Sequence, residues 1–269
     1  MIENTSKKPK TAIRMAIEHI AVLIFWLLVW GIASYSVGEE LLLPSPLTVL
    51  QKMGEMIVTP TFWKITATSL ARIIVGILSA LAIGAVLAFL TASVPLLHTL
   101  FKPLITVIRS TPVASFIILI VLWVGRDTLP TVIAILMVLP VVWGNMHEGI
   151  CNTDKELIEV GKAFEFSLWK RIKRLYLPYI TPYFTSAAKT SIGLAWKAGI
   201  AAEVITYPQF SIGTEMSNTR YNLETAELFA WTLTVILLSF ITEMAFSWLF
   251  MRDKKAKKGG KAHGTSADL

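Results

Sequence analysis

The chain has 269 residues, 54% hydrophobic and 16% charged, with a mean hydropathy of +0.62. Soluble domains carry about 25% charged residues and disordered chains combine low hydrophobicity with high net charge, so both classes are excluded. The net charge of +7 requires no nucleic acid, since basic residues beside membrane spans attract anionic headgroups, and the lone Cys151 excludes an internal disulfide or a Cys-rich metal site.

A helix crossing the hydrocarbon needs about 20 mostly apolar residues. A cytoplasmic N-terminal segment, 1–16, carries Lys7, Lys8, Lys10 and Arg14 and leads into the first apolar block, 17–36. Small residues at Ala33, Ser34 and Ser36 would suit a signal peptidase. The apolar run is longer than a cleavable signal's, however, and is read as an anchor. Further blocks occupy 70–94, 103–125, 129–150, 183–208 and 226–250. Alternating ten-residue segments of a β-barrel are not seen. The expected fold is all-α: a polytopic domain, 17–250, with six transmembrane helices. A basic tail, 251–269, follows, and its stretch 252–261 is expected to be disordered.

Short cytoplasmic loops hold the excess of Lys and Arg. With the N-terminus inside, seventeen of the 25 basic residues fall on the cytoplasmic side. Lys52, Lys64, Arg72, Arg126 and Arg220 fall across the membrane, and Arg109, Lys189 and Lys197 within spans. Both termini are therefore expected in the cytoplasm.

The cytoplasmic loop 152–182 has helical patterning of its own. Leu157, Val160, Phe164 and Leu168 recur at helical spacing, as do Trp169, Ile172 and Tyr176. Thr153 and Asp154 offer capping oxygens ahead of Glu156. A turn at 165–167 is expected between two helices, with Pro178 ending or kinking the second and Pro182 marking the next span.

The spacing in this loop resembles the permease subunits of ABC importers, the binding-protein-dependent transport family. Their signature runs Glu-Ala-Ala, three residues, Gly, nine residues, Ile-x-Leu-Pro. Here stand Glu159-Val160-Gly161, then Glu165, and after nine residues Leu175-Tyr176-Leu177-Pro178. Glu165 replaces the signature glycine, and a side chain there disfavours a left-handed turn. The stretch 68–76, Arg109-Ser110-Thr111-Pro112, Gly125, and Asn145 with Gly149 also resemble family elements. Trp196-Lys197, Ala201-Ala202-Glu203 and Ser211-Ile212-Gly213 look like the nitrate/sulfonate/taurine branch.

The resemblance implies a helical coupling loop that docks in a groove of a separate ATP-binding subunit. It implies a second permease subunit, an identical copy or else a close paralogue, an external solute-binding protein, and a place in the plasma or inner membrane of a prokaryote. ATP and Mg would lie on the partner ATPase, with no cofactor on this chain. Expected coupling residues are Glu159, Gly161, Ala163, Phe164, Glu165, Leu177 and Pro178, where Leu177 and Pro178 alternatively only shape the return to the membrane. No G-x-x-x-x-G-K-[ST] loop, metal motif or nucleophile–base constellation is found in the sequence, so no enzyme is expected.

Ionisable groups at membrane depth invite a functional reading. Arg109 lies near Pro112, where broken backbone can line a cavity. Lys197 and Glu203, six residues apart, stand about 120° apart around a helix and are poorly placed to pair with each other. Arg109, Lys197 and Glu203 either line a solute path or pair across helices. Pro112, Asn145 and Trp196 complete the path candidates, although for Trp143 and Trp196 packing is preferred over ligand contact. Trp63 and Trp231 are expected at the water interface, and Gly76, Gly84, Gly193 and Gly199 at close helix approaches. An excess of cations favours an anionic solute, and the resemblance implies nitrate, a sulfonate, taurine or a thiamine-precursor pyrimidine. The alternative function is a self-sufficient channel or secondary transporter, but neither inverted repeats nor a proton relay is detected.

Overall fold

The computed structural model describes residues 12–262, except 155, 157, 158, 160 and 162. All regular structure among them is helical: α1 (Ala12–Val37), α2 (Pro46–Ile57), α3 (Pro60–Ser93), α4 (Pro95–Ser110), α5 (Val113–Ile120) and α6 (Leu129–Cys151). After the loop come α7 (Leu168–Arg171), a π-helical turn (Ile172–Tyr176), α8 (Leu177–Thr206), α9 (Ile212–Tyr221) and α10 (Thr225–Ala262).

Four helical stretches are long and apolar enough to cross a bilayer: Ile20–Val37, Pro60–Ser93, Leu129–Cys151 and Thr225–Leu249. A fifth span results if α4 and α5, bent by 104° at Thr111–Pro112, count as one crossing. The expected fifth block belongs to α8, whose 30 residues carry Lys189, Lys197 and Glu203 and which is not among those four. At about 1.5 Å per residue it is long enough to cross the hydrocarbon.

Helices α3, α6 and α8 form the core, with Ile73, Ile77, Ala134, Val138, Val142, Ile192 and Ala195 sealed between them. Hydrocarbon provides no driving force between helices, so close packing must hold such a bundle together. A methyl on Gly76 would fall 2.7 Å from Ala134 Cβ, and one on Gly84 2.9 Å from Val142, so α3 and α6 touch backbone to backbone. Gly199 similarly meets Ile73, whereas Gly193 faces open space and serves no such approach.

Several sequence expectations are corrected. Helix α1 begins at Ala12, inside the segment read as preceding it. Helix α3 begins at Pro60, ten residues before the apolar block, because Thr59 caps it and Phe62, Ile65 and Thr66 are buried in its first turns. Trp231 is buried, stacked on Phe62 at 5.2 Å, rather than at an interface; Trp63 is exposed. The stretch 252–261, expected to be disordered, continues α10 as helix to Ala262. Residues 1–11 and 263–269 lie outside the described residues.

Candidate functional site

The sequence candidates separate toward opposite ends of the bundle. At one end, where α6 stops and α8 starts, an elbow leaves the helices. Asp154 Oδ1 accepts the Glu156 amide at 2.9 Å, the expected cap, while Thr153 Oγ1 donates to Gly149 O at 3.2 Å. Backbone at Glu156, Glu159, Gly161 and Ala163 is helical; Leu157 and Val160 of the apolar stripe lie outside the described residues.

Glu165 carries φ 49°, so the left-handed turn survives without the signature glycine. The Phe166 amide donates to Gly161 O at 3.0 Å, the six-to-one bond of a helix ended by one left-handed residue. That bond and the packing around Gly161 hold Glu165 in a conformation it would not choose alone. A methyl on Gly161 would meet Leu175 Cδ1 at 2.5 Å, so the second arm of the elbow folds directly onto the first. Ser167 then starts that arm, accepting the Lys170 amide on Oγ and the Arg171 amide, at 2.9 Å, on its carbonyl.

Pro178 does not end this second arm. The chain passes from α7 through the π turn into α8, where Pro178 occupies the first turn. Proline lacks an amide hydrogen and crowds the carbonyl four residues earlier. The π turn just before it widens the helix, the Leu177 amide donating to Ile172 O, five residues back. Exposure marks what this end offers a partner. Phe164 is 70% exposed and Leu177 52%, and Glu159, Ala163, Glu165 and Pro178 are also on the surface; Gly161 is buried.

The six path candidates are dispersed. Arg109 is exposed in the last turn of α4, and Pro112 begins α5 across the break. Asn145 is half-buried and donates to Val141 O in its own helix, at 2.8 Å. Trp196 is buried and Lys197, beside it, exposed. Among the described residues no hydrogen bond or ion pair joins any two of the six.

Glu203 is fully buried, and its partners were not anticipated. Its Oε2 accepts the Ser69 hydroxyl at 2.9 Å and the Gly213 amide at 3.1 Å. Ser69 in turn accepts the Ile212 amide at 2.9 Å. These are the first amides of α9, so the carboxylate sits where a helix N-terminus favours negative charge. Gly213 is required, because a methyl there would press on Glu203 and lie 2.5 Å from the Val204 nitrogen.

Arg72, one helical turn from Ser69, completes the network. Its Nη2 donates to Asp127 Oδ1 at 2.9 Å and to Gln209 O at 3.0 Å, and its Nη1 lies 3.8 Å from Glu203 Oε1. Asp127 Oδ1 also accepts the Gln209 amide at 2.9 Å. Sequence reading had placed Arg72 among the charges outside the membrane. The available signal was Ser69 and Arg72 at i, i+3, which puts two polar groups on one face of a helix otherwise apolar from Ile73 onward.

Comparison with known proteins identifies the architecture. Residues 81–252, well over half of the chain, match the family described as binding-protein-dependent transport system inner membrane component. A Bacillus subtilis protein named for aliphatic sulfonates transport is 23% identical over 239 residues, 88% of this chain and 84% of its own. The taurine transport system permease protein of Escherichia coli is 22% identical over 247 residues, 89% of this chain and 88% of its own. A nitrate import permease protein of Leptolyngbya laminosa is 29% identical over 174 residues, 60% of this chain and 61% of its own. Such proteins are transport permeases, not enzymes. The apolar helices, the elbow between α6 and α8 and the match over residues 81–252 lead to one conclusion: this chain belongs to the binding-protein-dependent transport permeases and is an integral inner-membrane protein.

Proposed function

We propose that the chain is the membrane-spanning permease of an ATP-driven importer for a small anionic solute, chemically akin to nitrate, a sulfonate or taurine. In this reading α1, α3, the bent pair α4–α5, α6, α8 and α10 make six crossings. The basic residues set both termini and the elbow in the cytoplasm. The ATPase, with its ATP and Mg, docks on the elbow; an identical second subunit completes the path; an external binding protein delivers the solute. Relatives named for nitrate, taurine and aliphatic sulfonates support the solute class.

One observation carries the reading: the elbow presents a 70% exposed Phe164 beside the closed turn at Glu165, on an arm packed against the second arm through Gly161 and Leu175. A large apolar side chain held rigidly in water is what an aromatic anchor for a groove requires. Glu159, on the same arm, supplies a charge that fixes register.

The test is copurification with the ATPase. Phe164→Ala removes exposed surface, so the chain's own melting temperature should stay within about 2 °C of the parent. Its retention of the ATPase should fall at least about tenfold, the effect expected of a buried aromatic anchor. Full retention of the ATPase by the variant would reject the docking role.

A further inference from the structure

We infer that Arg72 is a two-position latch at the outer mouth, exchanging Asp127 for Glu203 as the α5–α6 loop leaves the α8–α9 loop. In this structure the guanidinium faces outward: Nη2 is bonded to Asp127 and to the Gln209 carbonyl, and Asp127 Oδ1 also holds the Gln209 amide. Among the described residues the hydrogen bonds between the α5–α6 loop and the α8–α9 loop run through one carboxylate oxygen, on a side chain 59% exposed, while Val121 and Val124 of the same loop pack against the cluster that includes Ala198 and Ala202 of α8. On the inner side, Arg72 Nη1 and Glu203 Oε1 are both buried, and neither has a hydrogen-bond partner. They face each other across 3.8 Å. That gap is too long for a hydrogen bond, which needs about 3 Å, and too short to admit a bridging water.

The two form an ion pair without a hydrogen bond, so each forgoes the charged bond it could make and the contact is weaker than a closed one. They are held apart because the planar guanidinium cannot tilt toward Glu203 while Nη2 keeps Asp127. Release of Asp127 frees the fork to close on Glu203, so opening the loop strands no buried charge. Glu203 itself stays fixed, since Oε2 remains bonded to Ser69 and Gly213. The outer loop therefore has a second arrangement open to it, and a pair of arrangements is what a gate needs.

The inference rests on the permease reading only in naming this end the outer mouth. Its test measures a distance on the full chain in lipid nanodiscs without transport, so its failure would leave that reading standing. Spin labels go on Leu122→Cys in the loop and Ala67→Cys on α3, in a Cys151→Ser background because Cys151 is exposed. Asp127→Asn should shift the distribution to longer distances, changing the ratio of populations about tenfold, the worth of one hydrogen bond to a charged group. Glu203→Gln should shift it the other way, toward a single short distance, because the inward position has lost its carboxylate. Should Glu203→Gln not fold, Glu203→Asp withdraws the carboxylate by one methylene and must shift the distance in the same direction. Opposite shifts from the two sites support the latch. Shifts of the same sign, or none, overturn it, as they would if Arg72 only held the fold together.

Discussion

Replacing Glu203 by Gln keeps the shape of the side chain and removes its charge, which isolates the electrostatics of the network around Ser69, Arg72 and Gly213. The amide oxygen can still accept the Ser69 hydroxyl and the Gly213 amide, now at 2.9 and 3.1 Å. Both bonds lose charge assistance, however, and neutral hydrogen bonds are worth roughly half of charged ones, a loss of about 1 kcal/mol each. The new amide NH2 meets Arg72 Nη1 as donor against donor, where the carboxylate oxygen had faced a cation. Loss of that attraction in a site with no exposure adds about 1–2 kcal/mol. The total, about 3–4 kcal/mol, falls on the start of α9. It should appear as faster hydrogen exchange at the Ile212 and Gly213 amides, by about a hundredfold or more. The assay is exchange mass spectrometry on peptides covering 208–216 in nanodiscs, with the α6 peptides as internal reference. Exchange at these amides within about threefold of the parent would refute the claim that Glu203 anchors α9.

Two further outcomes follow from the same kind of reasoning. Glu165→Gly relieves a left-handed backbone that costs an L-residue about 1–2 kcal/mol, so it should raise the melting temperature by a few degrees; an unchanged or lower value in a thermal scan would contradict the turn. Burial pushes the Glu215 carboxyl above its ordinary value, with Glu227 adding to the shift and a hydrogen bond from Asn218 opposing it. The folded chain then holds that proton at pH values where the unfolded chain has lost it, so stability declines as pH rises through the ordinary glutamate range toward the folded pKa. Glu215→Gln should flatten that decline above the ordinary glutamate range, and identical pH profiles of melting temperature for parent and variant would remove Glu215 from the account.

What was legible in the sequence was local. The apolar block at 129–150 became Leu129–Cys151 with one residue added, because Pro130 at one end and the polar Asn152–Asp154 at the other fix its limits. The elbow followed from the Asp154 cap and the register of Glu159, Glu165 and Pro178. What escaped were elements whose apolar faces are short or whose partners lie far along the chain. Helix α2 opens with Ser45 capping Thr48 ahead of Pro46, a readable start, but its 12 residues are too few to register as a span. The first turns of α3 mix Thr61, Lys64 and Thr68 with buried Phe62 and Ile65, so averaged hydropathy hides a packed face. The Ser69–Glu203 bond joins residues 134 apart, and no pattern within either helix announces it. Pro178 does not end its helix because the rule against proline inside a helix assumes α geometry throughout, and the π turn removes the conflict.

The charges at membrane depth now divide by what surrounds them. Glu203 has no exposure and its bonded oxygen is committed to Ser69 and Gly213, leaving no surface to meet a solute. Lys197 is the opposite case: exposed, two-thirds of the way along α8, next to buried Trp196. An ammonium facing lipid at such a depth costs about 2.5–3.5 kcal/mol on insertion scales. A second subunit enclosing an aqueous path would remove that cost by giving the side chain water and, in passing, an anion. Lys197→Cys in a Cys151→Ser background should therefore react with a charged, membrane-impermeant thiol reagent in the assembled transporter, and a high concentration of the transported anion should slow the reaction. Absence of labelling in both inward- and outward-facing states would place Lys197 against protein or lipid and remove it from the path.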